Sequence, residues 1–343
     1  MPVHRHPRLL FQDDTALLQN TPQRNALLDR IKGMGGQAVQ ADVMWGAVRK
    51  GGQYDLAAYD SLVNEARRRG LGVRFRLMGT PRYMENRPGV DLALNAENPN
   101  AHMMGVFARD IAQHFQGRVG GYSIWNEPNV GSFINQDAPI AARTYRQLYR
   151  QGYAAIKGVS PNALVGLGEL TSQAPGAPGP YSTIGFLKNV LRGNKPLHAD
   201  YLAVHPYQWA DPTKKIGNAW YGGISNLPAL QQALADAQRQ HQLLTRAGGR
   251  VPLSISEYGY KQDAQTDPRV RARWLSQSYD LAQQAGVQDF NLYQLLPRAG
   301  AYWDSSIMNA QGQLDPGMAE ALKSMRRSYS RPPSRPVARR ARR

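Results

Sequence analysis

A chain of 343 residues without Cys excludes a disulfide framework, a thiolate nucleophile and any Cys-ligated metal site. Lys and Arg number 42 against 25 Asp and Glu, a net charge of +17. Eight Arg and no acid fall between Arg326 and Arg343, and removing those eight leaves a body that is still +9. The length suits one domain with a full core. No run approaches the ~18 apolar residues of a membrane span. Met1 to Asp14 lacks the apolar middle of a signal peptide, so the expectation is a cytoplasmic chain, or an extracellular or periplasmic one whose leader is missing.

Short apolar, β-branched or aromatic runs alternate with longer stretches of helical period, the pattern of a parallel sheet wrapped by helices. Eight strands are predicted: Arg8 to Gln12, Ala38 to Trp45, Gly72 to Met78, Gly121 to Trp125, Leu164 to Leu170, Tyr201 to His205, Pro252 to Ser256 and Asp289 to Leu295. Their spacing averages about forty residues, as βα units require. Between them, Leu56, Tyr59, Leu62, Val63 and Ala66 follow the i, i+3, i+4 rule, as do Val106, Phe107, Ile111 and Phe115. Leu227 to Leu244, Trp274 to Ala285 and Pro316 to Met325 complete the predicted helices, the last with Asp315 as N-cap. The fold class expected is therefore α/β, a single-domain (β/α)8 TIM barrel over residues 1–325, followed by an Arg-rich tail over 326–343. The tail is Pro-broken and self-repelling, so it is expected to be disordered. It reads either as a solvated end or as an electrostatic tether to anionic polymer or envelope.

Barrel active sites lie in the loops that follow the strands. The loops after strands three, five and six are the long ones, and Ala174 to Pro180 (APGAPGP) is a loop by composition. Gly33, Gly35 and Ala38 match a loose dinucleotide fingerprint, but they precede a strand instead of following one, which argues against a nucleotide site. The seven His show no metal-type pairing, and neither cofactor nor metal is expected. Specific nucleic-acid binding is not expected either, for want of a stacking platform.

The most informative segment is Trp125, Asn126, Glu127, Pro128, Asn129 (WNEPN), which puts a carboxylate where the fourth strand ends. A second, Glu257 in SISEYGY, ends the seventh strand three βα units later, across the mouth. Glycoside cleavage with retention needs two carboxyls, one to protonate the leaving oxygen and one to attack the anomeric carbon. The bland alternative is a pair of strand-end carboxylates held by Arg.

This arrangement resembles glycoside hydrolase clan A, and within it families 39 and 5, because WNEPN is joined by His205, Pro206 and Tyr207 after strand six. The resemblance covers roughly Leu10 to Ser324. It implies Glu127 as acid/base, Glu257 as nucleophile, Asn126 as the residue bonding the sugar 2-hydroxyl, and His205 and Tyr207 as groups lining the subsite beside the nucleophile. The bland reading of His205 is a satisfied core histidine. Two positions depart from the clan pattern. Gln40 stands where the clan often has an Arg that holds the nucleophile, with Arg74 or Arg76 as candidate substitutes; and the eighth strand ends at Tyr293 and Gln294 where the clan usually has a Trp, with Trp303 a candidate to fold back. Trp45, Trp209 and Trp220 could stack on sugar or simply pack, and Glu169 is a rim carboxylate.

The function implied is a retaining O-glycosyl hydrolase acting on an oligo- or polysaccharide. Arg74, Arg76, Arg82 and the net charge suggest an anionic glycan. The competing reading is an inactive barrel that binds envelope glycan, and transglycosylation would use the same residues.

Overall fold

The computed structural model describes residues 6–50, 52–81, 99–134, 137–172, 179–218, 220–263, 265–298, 300 and 303–330. Eight strands close into an all-parallel barrel: β1 Arg8–Gln12, β2 Ala38–Met44, β3 Gly72–Met78, β4 Gly121–Ile124, β5 Leu164–Thr171, β6 Tyr201–His205, β7 Leu253–Tyr258 and β8 Asp289–Tyr293. Neighbours in sequence are neighbours in the barrel, and β8 closes on β1 with Arg8 opposite Asp289 and Gln12 opposite Tyr293.

A long helix follows each strand, after the single turn Trp45–Val48 in the case of β2: α1 Pro22–Gly33, α2 Ala57–Arg68, α3 Ala101–His114, α4 Ala138–Val159, α5 Thr183–Leu191, α6 Leu227–Arg239, α7 Pro268–Gln284 and α8 Met318–Ser330. Thr21, Asn100, Asp137, Ser182 and Asp267 each accept a backbone N–H in the first turn of the helix they precede, supplying partners for otherwise orphaned donors. Among the described residues, no helix is long and apolar enough to cross a membrane.

Three details differ from the sequence reading. The helix expected over Leu227 to Leu244 stops at Arg239, and Leu243–Leu244 instead forms a short parallel pair with Leu197–His198. The last helix starts at Met318, and the Asp315 carboxylate ahead of it is ion-paired with Arg271. It also runs to Ser330, past the 325/326 boundary drawn for the tail. Residues 331–343 of the tail lie outside the described residues, as do Arg82 and residues 174–178 of the predicted loop.

Strand periodicity explains where the apolar and polar residues go. In β3 (GVRFRLM) Val73, Phe75 and Leu77 face the helices, and Phe75 meets Tyr59 and Phe115 edge-on with centroids 5.6 and 5.0 Å away. Arg74 and Arg76 therefore face inward, where a buried guanidinium must find carboxylates. Arg74 pairs with Asp289 at 2.7 Å near the floor of the barrel and lies over the Tyr201 ring at 4.9 Å. Above it, the Gln40 amide donates to Gln12 Oε1 (2.9 Å) and to the Ser256 carbonyl (3.1 Å), and Asn291 donates to the same two acceptors. The barrel interior is thus a hydrogen-bonded polar column, while the apolar core lies between strands and helices.

Candidate active site

The column ends at the C-terminal mouth in a cluster of carboxylates, Asp14, Asp42, Glu127, Glu169 and Glu257, with Arg76, His205 and Tyr207 among them. Glu127 follows β4, and both Trp125 (φ 71°) and Glu127 (φ 41°) occupy the left-handed region that non-glycine residues rarely adopt. Trp125 is anchored by an indole bond to the Phe133 carbonyl at 2.9 Å, and the Glu127 N–H donates to the Glu169 carbonyl at 3.0 Å.

Glu169 and Glu257 both sit at register shifts, Glu169 between Leu167 and Leu170 of β5 and Glu257 between Ile255 and Tyr258 of β7. Such a bulge inserts a residue and re-aims its side chain, here into the mouth. Gly168 makes the first possible: its φ is 119°, and a Cβ there would lie 2.4 Å from the Ala203 carbonyl oxygen.

Glu257 is held on both oxygens. Tyr207 donates to Oε1 at 2.6 Å and Arg76 to Oε2 at 2.9 Å. Burial opposes its charge, but His205, Arg76 and Tyr207 outweigh burial and hold the carboxyl below its usual range. Arg76 also pairs with Asp42 at 2.7 Å, so one buried guanidinium serves two carboxylates. Of the two substitutes considered for Gln40, it is Arg76 that takes the contact, while Arg74 is committed to the floor.

His205 is wholly buried and bonded at both nitrogens, Nδ1 lying 2.9 Å from Glu127 Oε1 and Nε2 lying 2.7 Å from Glu169 Oε2. Burial disfavours the imidazolium, yet Glu257, Glu127 and Glu169 lift its pKa to about 10. It therefore donates on both sides. Glu169, also wholly buried, is pulled down to about 2 despite burial, by the His205 hydrogen bond and charge and by Arg76. These facts correct two expectations. His205 does not line a sugar subsite, because it has no exposed surface; and Glu169 is not a rim carboxylate but lies beneath His205.

Glu127, His205 and Glu257 present atoms all within 4.8 Å of one another, a spacing that a metal could use. Both imidazole nitrogens of His205 are already directed at carboxylates, Nδ1 at Glu127 and Nε2 at Glu169.

Tyr207 lies beside Glu257, and Trp303 does fold back, its ring 5.1 Å from Tyr207 and 5.3 Å from Trp209 in edge-on contacts. Trp209 is 64% exposed, available to a ligand. Trp220 is exposed and carries the Lys188 ammonium 4.3 Å over its ring. Trp45 is not at the mouth. It is fully buried and stacked on Phe107 with centroids 5.0 Å apart, which corrects its reading as a sugar platform. Asn126 is buried, and its side-chain oxygen has no hydrogen-bond partner among the described residues.

Two carboxylates on the opposite side of the mouth, beside the expected Tyr293, were missed from sequence. Asp14, just past β1, accepts from the Gln12 amide on both oxygens (3.0 and 3.1 Å) and from the Asp42 N–H (3.0 Å). Burial and then the neighbouring Asp42 push it up to about 8, against Arg76 and Gln12. Asp42 is also raised, burial outweighing its ion pair. Asp14, Tyr293, Gln294 and Arg298 line a cavity of about 140 Å³ there. A single Asp after a strand carries no signal of its own, since its partner is 28 residues away.

No protein-family model matches the chain, and the curated proteins contain no match. Solved structures do match. A family 39 glycoside hydrolase from Bacteroides cellulosilyticus WH2 superposes with a TM-score of 0.69 at 16% identity, over 95% of this chain and 64% of that one. The fold is that of the family 39 and family 5 glycoside hydrolases. A family 39 β-xylosidase from Caulobacter crescentus gives 0.65 at 18% identity, covering 94% and 71% of the two chains. A family 5 enzyme from Streptomyces cattleya, solved with GlcNAc, also gives 0.65 at 15% identity, covering 96% and 82%. The chain spans under two thirds of the length of the Bacteroides protein it matches.

Proposed function

We propose that this chain is a retaining glycoside hydrolase, with Glu257 as nucleophile and Glu127 as acid/base. The observation that carries the reading is the approach of the two carboxyls: an oxygen of each lies within 4.8 Å of the other. Retaining enzymes keep their carboxyls about 5 to 5.5 Å apart, and inverting ones about 6.5 to 9.5 Å apart to admit a water.

Glu257 attacks the anomeric carbon as the glycosidic C–O bond breaks and Glu127 gives its proton to the departing oxygen. Water then attacks the glycosyl-enzyme, its proton goes to Glu127, and the Glu257 ester bond breaks. Tyr207 and Arg76 aim the nucleophile and keep it ionised. The unpartnered Asn126 oxygen suits a sugar hydroxyl, and Trp209 and Trp303 offer stacking faces. A glycan-binding barrel without chemistry has no need of an Arg and a Tyr converging on one carboxylate.

The substrate class is an oligo- or polysaccharide. An anionic glycan loses the support of Arg74 and Arg76, which are buried and paired internally; the net charge, Arg298 at the mouth cavity and Lys261, 6.0 Å over the Trp303 ring, still support it.

The test is proton NMR of the first-formed anomer on a panel of neutral and uronic-acid glycans, beside Glu257→Ala. Retained configuration, lost in the variant, is expected. An inverted product, or products unaffected by the substitution, would overturn the assignment.

A further inference from the structure

We propose that Glu169 is a positioning residue for the acid/base, acting through His205 to fix both the place and the charge environment of the Glu127 carboxyl. The inference rests on the glycosidase reading above and deepens it.

Glu169 grips Glu127 at two points. Its backbone carbonyl accepts the Glu127 N–H at 3.0 Å, and its side chain reaches the Glu127 carboxyl through the imidazole, Glu169 Oε2 to His205 Nε2 at 2.7 Å and His205 Nδ1 to Glu127 Oε1 at 2.9 Å. The β5 bulge at Gly168 delivers both contacts. From behind, Ser256 donates to Glu169 Oε2 at 2.6 Å, so the anion is held in register by β7 as well.

The groups facing His205 are Glu127 from β4, Glu169 from β5, Glu257 from β7 with Oε2 at 3.9 Å, and Arg76 from β3 with Nη1 at 3.4 Å. Three carboxylates against one guanidinium favour a second cation, and Glu169 is the one carboxylate of the three that the reaction leaves untouched. It is therefore the constant partner of the imidazolium. While Glu257 is consumed as an ester and Glu127 changes its proton, Glu169 keeps His205 charged. Consequently His205 occupies Glu127 Oε1 throughout, and Oε2, which has no protein bond among the described residues, is left to carry the transferable proton. The same cation stabilises the Glu127 carboxylate once its proton has gone to the leaving group.

A purely structural ion pair would move the His205 titration but neither the pH profile of turnover nor the contrast between leaving groups. In protein labelled with ¹⁵N at histidine, His205 is expected to remain doubly protonated through pH 8, and in Glu169→Gln, which keeps an acceptor and the bulge, to lose its proton at least a pH unit lower than in the native protein. The kcat/KM profile of the variant moves to lower pH, because His205 stays charged over the working range while an anion has left the neighbourhood of the two catalytic carboxylates. Turnover falls at least tenfold on natural glycans, and by much less on an aryl glycoside whose leaving group needs no proton, with KM little changed. Ser256→Ala, which removes a competing donor from the same Glu169 oxygen and leaves the carboxylate in place, shifts the His205 titration the opposite way by less, and stands in if Glu169→Gln does not fold. An unchanged His205 titration together with an unmoved pH profile overturns the proposal. The NMR titration needs no substrate: a protein that hydrolyses nothing yet shows the shifted His205 would sink the glycosidase reading and leave the charge coupling standing.

Discussion

Arg76 on β3 reaches across the barrel to Glu257 on β7, Nη1 to Oε2 at 2.9 Å, while its other terminal nitrogen holds Asp42 at 2.7 Å. Removing one partner of a buried ion pair leaves uncompensated charge and costs about 3–5 kcal/mol. Arg76→Met strands two carboxylates at once, so urea denaturation should show a loss at the upper end of that range together with near-complete loss of turnover. Arg76→Lys keeps the charge but cannot fork to both carboxylates, and should recover stability more than activity. Equal recovery of both would mean that the fork does not orient the nucleophile.

Tyr207 tests the other nucleophile oxygen. Tyr207→Phe removes a 2.6 Å donor to Glu257 but keeps the ring against Trp303 and Tyr258. A hydrogen bond to a charged group is worth about 1.5–3 kcal/mol, so kcat/KM is expected to fall roughly 10- to 100-fold with little change in Tm. A large Tm loss with intact kinetics would make the contact structural.

The tryptophans separate packing from binding. Trp45→Ala opens a cavity beside Phe107 and should cost about 3–5 kcal/mol without raising KM. Trp209→Ala, at an exposed position, should raise KM severalfold and leave the denaturation midpoint in place. Calorimetry and Michaelis kinetics on both variants decide it; a KM effect from Trp45 alone would reverse the two roles.

Asp14 gives a pH dependence of stability. Its folded pKa, about 8, lies above its ordinary value of 3.8, so the native state holds a proton that the unfolded chain releases. The unfolded chain thus binds fewer protons between those values, and stability falls as pH rises through that window. Asp14→Asn should flatten the slope between pH 4 and 8 and add at least ~1 kcal/mol at pH 8, since a tenfold difference in proton affinity between the two states corresponds to about 1.4 kcal/mol. Denaturant midpoints that keep the native slope would count against the raised carboxyl.

The eight strands were legible because period-2 and period-3.6 patterns are local, and each strand bound falls within two residues of its expected place. Glu127 and Glu257 were legible because each closes an apolar run, which puts a carboxylate at the mouth of any barrel built from those runs. Trp45 misled because it also follows a strand, and nothing local distinguishes a Trp that turns back onto α3 from one that turns outward. Glu169 was seen, but its direction was not: the bulge at Gly168 that turns it inward depends on the Ala203 carbonyl of the next strand.

The sequence by itself determined the barrel, the order of its elements and the two carboxylates across its mouth, since these follow from residue periodicity and strand ends. Only the tertiary structure decided which Arg replaces the one missing at Gln40, that His205 is a buried double donor, and that Asp14 and Asp42 share a site. The reason is distance along the chain. Arg76 and Glu257 are 181 residues apart, and the energy that pairs them arises only when closure of the barrel removes both from water and leaves each as the other's partner.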